Sequence, residues 1–185
     1  MIVAGLDYSM TSPAICLYDD ANGDMTFNNC TSYYLTQMKK YDIIHNNIVS
    51  KYFEYTNDMT RYDTISSFFL DRLMENGVTK VFIEGYSMGS RGRVFNIAEN
   101  TGILKYKLWN FGIEFETVPP TVIKKFATGK GNADKEKMQV AFVAENKIDI
   151  KFDLGMTEKQ WNPSSDIIDA YWICKYGYQQ IRSAS

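Results

Sequence analysis

The 185 residues suffice for one domain with a sizeable core, and a balance of 45% hydrophobic, 23% charged and 15% aromatic excludes a disordered chain. No run approaches the roughly 18 apolar residues of a membrane span, and the N-terminus enters a strand without a basic leader, so no membrane partner is expected. A net charge of −2 excludes any argument for nucleic acid from global charge, so such an argument must rest on where the charges lie.

The first element is an uncharged run from Ile2 to Leu6 with β-branched Ile2 and Val3, the pattern of a strand buried on both faces, and it ends in Asp7. An ionised carboxylate at the inner end of such a strand needs a basic side chain, several N–H donors or a metal cation to compensate it. Residues 14–18 and a polar stretch near 25–34 follow as strands, with a turn signal over 19–24 between them, which reads as an antiparallel meander. Residues 35–57 mix Lys, Asn, Tyr and Ile without a clear period and are expected to form a partly helical connection. Over residues 60–76, Ile65, Phe68, Phe69, Leu70 and Leu73 recur at helical spacing, and Gly77 stands where a helix-terminating glycine belongs.

Lys80 to Glu84 repeats the opening theme, a short buried strand that ends in a carboxylate. A glycine-punctuated loop over 85–93 leads into a helix through Leu108 with enough apolar surface for two packed faces. Residues 112–118 alternate as a strand, and Pro119 and Pro120 end it. Residues 121–137 carry five lysines (Lys124, Lys125, Lys130, Lys135 and Lys137) against Asp134 and Glu136, with a helix continuing to about Asn146. A last helix starts at Ser164 and bears Asp166 and Asp169 three residues apart, hence on one side. Strands first, then helix, strand, helix, strand and helices, predict an α/β layer: a mixed five-stranded sheet with helices on both faces. Cys16, Cys30 and Cys174 lack metal-type spacing and are expected to be core thiols of a reducing compartment.

Asp7 and Glu84 would lie on neighbouring central strands. If the last helix covers them, four carboxylates from three distant stretches converge, and their repulsion requires divalent cations. Oxygen ligands alone select Mg²⁺ or Mn²⁺, and two such ions can activate water and stabilise a leaving oxygen at phosphorus. Taken one at a time, Asp166 and Asp169 also fit a helix N-cap with favourable dipole placement, and Glu84 a solvated strand end. The lysines of 121–137, with Arg91 and Arg93 in the 85–93 loop, flank these strands as a track for phosphates, while Lys105, Lys107 and Lys137 read as solvated helix faces. Tyr86 fits a stacking platform for an unpaired base, or a half-buried loop tyrosine. The glycines around Lys130 lack the spacing of a nucleotide loop, His45 reads as a surface or packing residue, and the tryptophans read as core.

Gly5 to Ser9, Val81 to Glu84, the lysine-rich 120–135 stretch and Ser165 to Ala170 together resemble, in order along almost the whole chain, the RuvC-type Holliday-junction resolvases of the RNase H-like superfamily. The resemblance implies that Asp7, Glu84, Asp166 and Asp169 are the metal-binding acids, with two Mg²⁺ ions, replaceable by Mn²⁺, in each site. It places Lys124 and Lys135 at the DNA-facing edge, Lys135 steadying the phosphate. It implies a homodimer built on the helix from about Val94 to Trp109, and paired symmetric nicks in branched DNA that leave 5′-phosphate and 3′-hydroxyl ends. The loop after Glu84, with Tyr86 and Met88, is where a junction-opening residue is expected. Competing expectations are an RNase H-like nuclease for flaps or RNA–DNA hybrids, an actin-like kinase on the strength of Asp7, Ser9 and Thr11, and a non-catalytic DNA-binding module. The abundance of Asn, Tyr and Met points to a phage or other viral gene, and the expected location is the cytoplasm of a bacterial cell or virus-infected host.

Overall fold

The structure, a computed structural model, describes residues 1–86 and 94–184. Strands β1 (Ile2–Asp7), β2 (Ala14–Asp19) and β3 (Cys30–Thr36) form the expected antiparallel meander, with Leu6 opposite Ile15 and Leu17 opposite Thr31. Helix α1 (Asp58–Glu75) follows, opened by Asn57 in a reciprocal capping box with Thr60, and left through Gly77 at φ +64°. Strand β6 (Lys80–Glu84) then lies parallel to β1 with Leu6 beside Ile83. Beyond helix α2 (Val94–Asn110), strand β7 (Glu114–Val118) pairs in parallel with β6. The chain closes with helices α3 (Pro120–Thr128), α4 (Lys135–Asn146), the short α5 (Ile150–Asp153) and α6 (Ser164–Ala184).

The expected α/β sheet is present, but it holds seven strands, not five. Residues 35–57 form its far edge: β4 (Ile44–His45) pairs with β5 (Ile48–Tyr52), and β5 runs parallel to β3. The only helical piece there is one tight turn at Lys39–Tyr41. The side chains that hold this edge are polar. Tyr34 Oη donates to Tyr41 O at 2.8 Å, Ser50 Oγ to Tyr41 O at 2.5 Å, and Asn47 Nδ2 to Phe27 O and Cys30 O at 2.6 and 2.9 Å. Five-residue β5 is too short for its alternation to stand out, which is why the stretch reads as aperiodic. The strand order is β4-β5-β3-β2-β1-β6-β7, so β1 and β6 are neighbouring interior strands and His45 lies at the remote edge.

Helices cover both faces, as expected. One face packs Ile65, Phe69, Leu104 and Leu108 of α1 and α2 under Ala4, Leu6, Val81 and Ile83; the other packs α3, α4 and α6 on Val3, Cys16 and Phe82. The three cysteines are buried free thiols on this second side. Helix α2 buries one face within this chain, through Asn100, Thr101, Leu104 and Leu108, while Phe95, Tyr106 and Trp109 on the other are 80%, 64% and 70% exposed. Two readings are corrected here. Trp109 is therefore not core, unlike Trp172. Lys107 is not merely solvated either: its ammonium reaches Asp63 at 2.7 Å and Ser67 at 2.8 Å, tying α2 to α1. Among the described residues, no helix is long and apolar enough to cross a membrane.

Candidate active site

Strand alternation decides where the first two acids point. On β1, Val3 faces the α6 side and Ala4 and Leu6 the α1 side; on β6, Phe82 faces α6 and Val81 and Ile83 face α1. Asp7 and Glu84, one residue beyond the paired Leu6 and Ile83, therefore both project from adjacent strand ends toward α6. That helix can lie directly on β1 because Gly5 has no side chain: a Cβ there would stand 2.1 Å from Cys174 N and 2.5 Å from Ala170 O. Gly177 makes the matching approach to the ring of Phe82, where a Cβ would meet Cδ2 at 2.1 Å. Pressed down at these two points, α6 carries Asp166 in its first turn and Asp169 one turn later over the strand ends.

Asp7 and Asp166 are 9% and 5% exposed, and Glu84 and Asp169 are half-buried. Burial, then the charges of Asp166, Glu84 and Asp169, push the Asp7 carboxyl well above the ordinary range. Asp169 is pushed up to about 8 by burial and by Glu84 and Asp166, against Lys135 and Lys124. Glu84 reaches about 7 through burial and Asp166, with Lys124 opposing. Burial raises Asp166 too, although Ser12, Lys135, Asp7 and Asn162 all work to keep it ionised. The four predicted acids thus share one electrostatic site, and Lys124 and Lys135 are the cations that act on it. Lys125 and Lys130 are exposed on and just beyond α3. Arg91, Arg93 and Met88 lie outside the described residues.

Three side chains that were not anticipated complete the cluster. Ser12 Oγ donates to Asp166 Oδ2, as does Asn162 Nδ2 at 2.6 Å, and Lys135 Nζ donates to Asn162 Oδ1 and Ser165 Oγ, both at 3.1 Å. A fourth, Arg61 of α1, is buried and donates from Nη2 to Met10 O, which ties down the loop between β1 and β2. Apart from the four-residue step from Asn162 to Asp166, the contacts of these residues are with partners far off in sequence, so no local pattern marks them. On the other side of Asp7 and Glu84 an open cleft of about 270 Å³ is walled by Tyr8, Met10, Thr101 and Tyr86. Tyr86 is 41% exposed with Lys105 Nζ 5.5 Å from its ring centre, so the half-buried Lys105 packs beside this tyrosine and is not a fully solvated helix face.

Among the described residues no three His, Cys, Asp or Glu side chains are closed into a metal cage. The donor set nevertheless fits a hard divalent ion. It offers only carboxylate oxygens, all of them raised toward the protonated form by burial and, in Asp7, Glu84 and Asp169, by one another. Such a group gains from a cation what it otherwise takes from protons.

No protein-family model and no curated protein sequence matches the chain. Solved structures do. The Thermus thermophilus RuvC structure aligns with 100% of this chain and 97% of its own at 17% identity and a TM-score of 0.63. The same organism's RuvC in complex with Holliday junction substrate aligns at 16% identity and 0.65, over 100% and 96% of the two chains. The fold is that of RuvC. The yeast mitochondrial Holliday junction resolvase Ydc2 also matches, at 14% identity and a TM-score of 0.51, over 93% of this chain and 75% of that one. This fold is the frame that carries the four acids.

Proposed function

We propose that this chain is a structure-selective endodeoxyribonuclease that resolves four-way DNA junctions by metal-dependent phosphodiester hydrolysis. The observation that supports it best is the convergence of Asp7, Glu84, Asp166 and Asp169 at the ends of two adjacent, parallel interior strands of a RuvC fold. These four acids would hold two Mg²⁺ or Mn²⁺ ions, which, when bound, supply an activated water and charge stabilisation for in-line displacement at phosphorus. The chain's own residues do the rest. Lys135, its ammonium held by Asn162 and Ser165, presents the remaining donor to the scissile phosphate. Lys124 offsets the charge of Glu84 and Asp169 from α3. Lys125 and Lys130, with Arg91 and Arg93, extend a basic track for flanking phosphates, and Tyr86 offers a ring face to an unpaired base, a contact worth about 1–3 kcal/mol.

The products are 5′-phosphate and 3′-hydroxyl ends. The test is cleavage of a synthetic four-way junction, a flap, an RNA–DNA hybrid and plain duplex, each with Mg²⁺ and with chelator. Metal-dependent cutting of the junction in preference to the others is expected; equal cutting of hybrid or flap would replace the junction assignment, and no cutting of any would remove the nuclease assignment.

Paired nicks require two active sites, and α2 supplies a surface for a second copy. Its exposed residues Phe95, Glu99, Gly102, Tyr106 and Trp109 follow the four-three spacing of a helix–helix seam. Gly102 sits mid-helix where an added Cβ would meet nothing within 4 Å, so the fold of one chain does not need it. Alanine there would favour the isolated helix by about 1 kcal/mol, whereas glycine lets a second helix approach closely. Phe95→Asp combined with Trp109→Asp is expected to give a folded monomer by sedimentation velocity and to replace paired nicks by single ones. A dimer that survives the double substitution would place the interface elsewhere.

A further inference from the structure

Within the acidic cluster, one neutral side chain bonds to a cation and an anion at once. Asn162, two residues before α6, accepts at Oδ1 from Lys135 Nζ at 3.1 Å, while its Nδ2 donates to Asp166 Oδ2 at 2.6 Å and to Ser12 Oγ at 2.7 Å. The amide orientation is set by these partners, because the flipped form would turn its NH₂ on the ammonium and its oxygen on the carboxylate. Lys135 takes a second acceptor in Ser165 Oγ at 3.1 Å. Among the described residues, the ion pairs within 4.0 Å do not include Lys135, although Asp166 and Asp169 both feel its charge.

A free ammonium this close to a buried carboxylate would ordinarily close on it, since their attraction is weakly screened away from bulk water. The result would be a neutral pair, poor both as a metal ligand and as a phosphate contact. Asp166 Oδ2 already accepts from Ser12 and Asn162, which leaves Oδ1 as the oxygen with lone pairs to give.

We propose that Asn162 is a positioning residue that holds the Lys135 ammonium one amide away from Asp166, keeping the carboxylate uncovered for a divalent cation and the remaining donor of the ammonium for a phosphate. This rests on the nuclease reading above and goes beyond it by assigning a role to a side chain outside the four acids. Without the amide, Lys135 reaches Asp166 directly and competes with the cation.

The test is Mn²⁺ titration calorimetry on the metal-stripped, full-length protein without DNA, for wild type, Asn162→Ala, Lys135→Ala and the double variant, each first checked by thermal melting. Asn162→Ala is expected to bind Mn²⁺ about tenfold more weakly, the lower end of what loss of a supporting contact does to a metal site. Lys135→Ala should bind within about twofold of wild type, and the double variant should recover most of the tenfold, because no ammonium remains to close on Asp166. A purely structural asparagine would leave the double variant at least as impaired as the single. That result overturns the inference, as does wild-type affinity in Asn162→Ala. Should Asn162→Ala fail to fold, the Lys135→Ala arm still decides: a tenfold gain in affinity, about the size at which a supporting contact matters, would show the ammonium already competing in wild type. Wild type that takes up no Mn²⁺ removes the nuclease reading as well; wild type that binds Mn²⁺ and cuts junctions while Asn162→Ala binds like it removes this inference alone.

Discussion

Asp7→Asn is expected to stabilise the metal-free protein and to abolish its junction cleavage. Asp7 lies 9% exposed among Asp166, Glu84 and Asp169, so in the absence of cations its charge is opposed by burial and by three like charges. The neutral amide removes that opposition. The same exchange takes away the best-placed metal ligand, and cleavage should fall by about a thousandfold or more, the loss that follows when a main source of transition-state charge stabilisation is removed. Opposite signs for stability and activity are the signature of a site selected for function and not for folding.

The pH dependence follows the same logic. Glu84 and Asp169 are raised to about 7 and about 8, far above the values of 4.5 and 3.8 ordinary for these groups. The folded state therefore holds more protons than the unfolded one across that interval, and stability falls as pH rises through it. In chelator, the melting temperature of wild type should drop from about pH 5 to about pH 8, and that of Asp7→Asn should drop less. Mg²⁺ should restore wild type most at the alkaline end, where the carboxylates are ionised and the ion binds only the folded state. A melting temperature that rises with pH in chelator, or an Asp7→Asn protein that cuts a four-way junction at full rate, would dismantle the site.

Gly5→Ala should be the most damaging substitution for the fold. The new Cβ would lie 2.1 Å from Cys174 N and 2.5 Å from Ala170 O, both backbone atoms of α6, so no side chain can swing aside. Either α6 lifts from β1 or the strand bends, and a loss of about 3 kcal/mol or more is expected, at the upper end for overpacked cores. Because α6 carries Asp166 and Asp169, activity should fall further than stability alone predicts. Denaturant unfolding measures the first effect. Cleavage under conditions where the variant is fully folded measures the second, and wild-type cleavage there would show that the acids tolerate a displaced helix.

Much of the site could be read along the chain because its main parts are local. An apolar β-branched run that stops at a carboxylate occurs at Asp7 and again at Glu84, and the Asp166 and Asp169 spacing puts both on one side of a helix wherever that helix docks. Strand and helix periodicity likewise carried the α/β class, the meander and most helices. What periodicity could not carry were features that depend on partners remote in sequence. The edge strands β4 and β5 are held by Tyr34, Asn47 and Ser50 reaching backbone carbonyls, not by an apolar stripe. The open face of α2 looks the same in sequence as a buried one, because aromatic residues at helical spacing do not say whether anything covers them. Ser12 and Asp166 are 154 positions apart, and only the folding of α6 onto β1 makes Ser12 and Asn162 donors to one carboxylate oxygen. The sequence alone settled which acids end the strands and share the helix face, since that follows from bonds between near neighbours. The tertiary structure alone decided what surrounds them, since a hydrogen bond between distant segments exists only after the chain has closed.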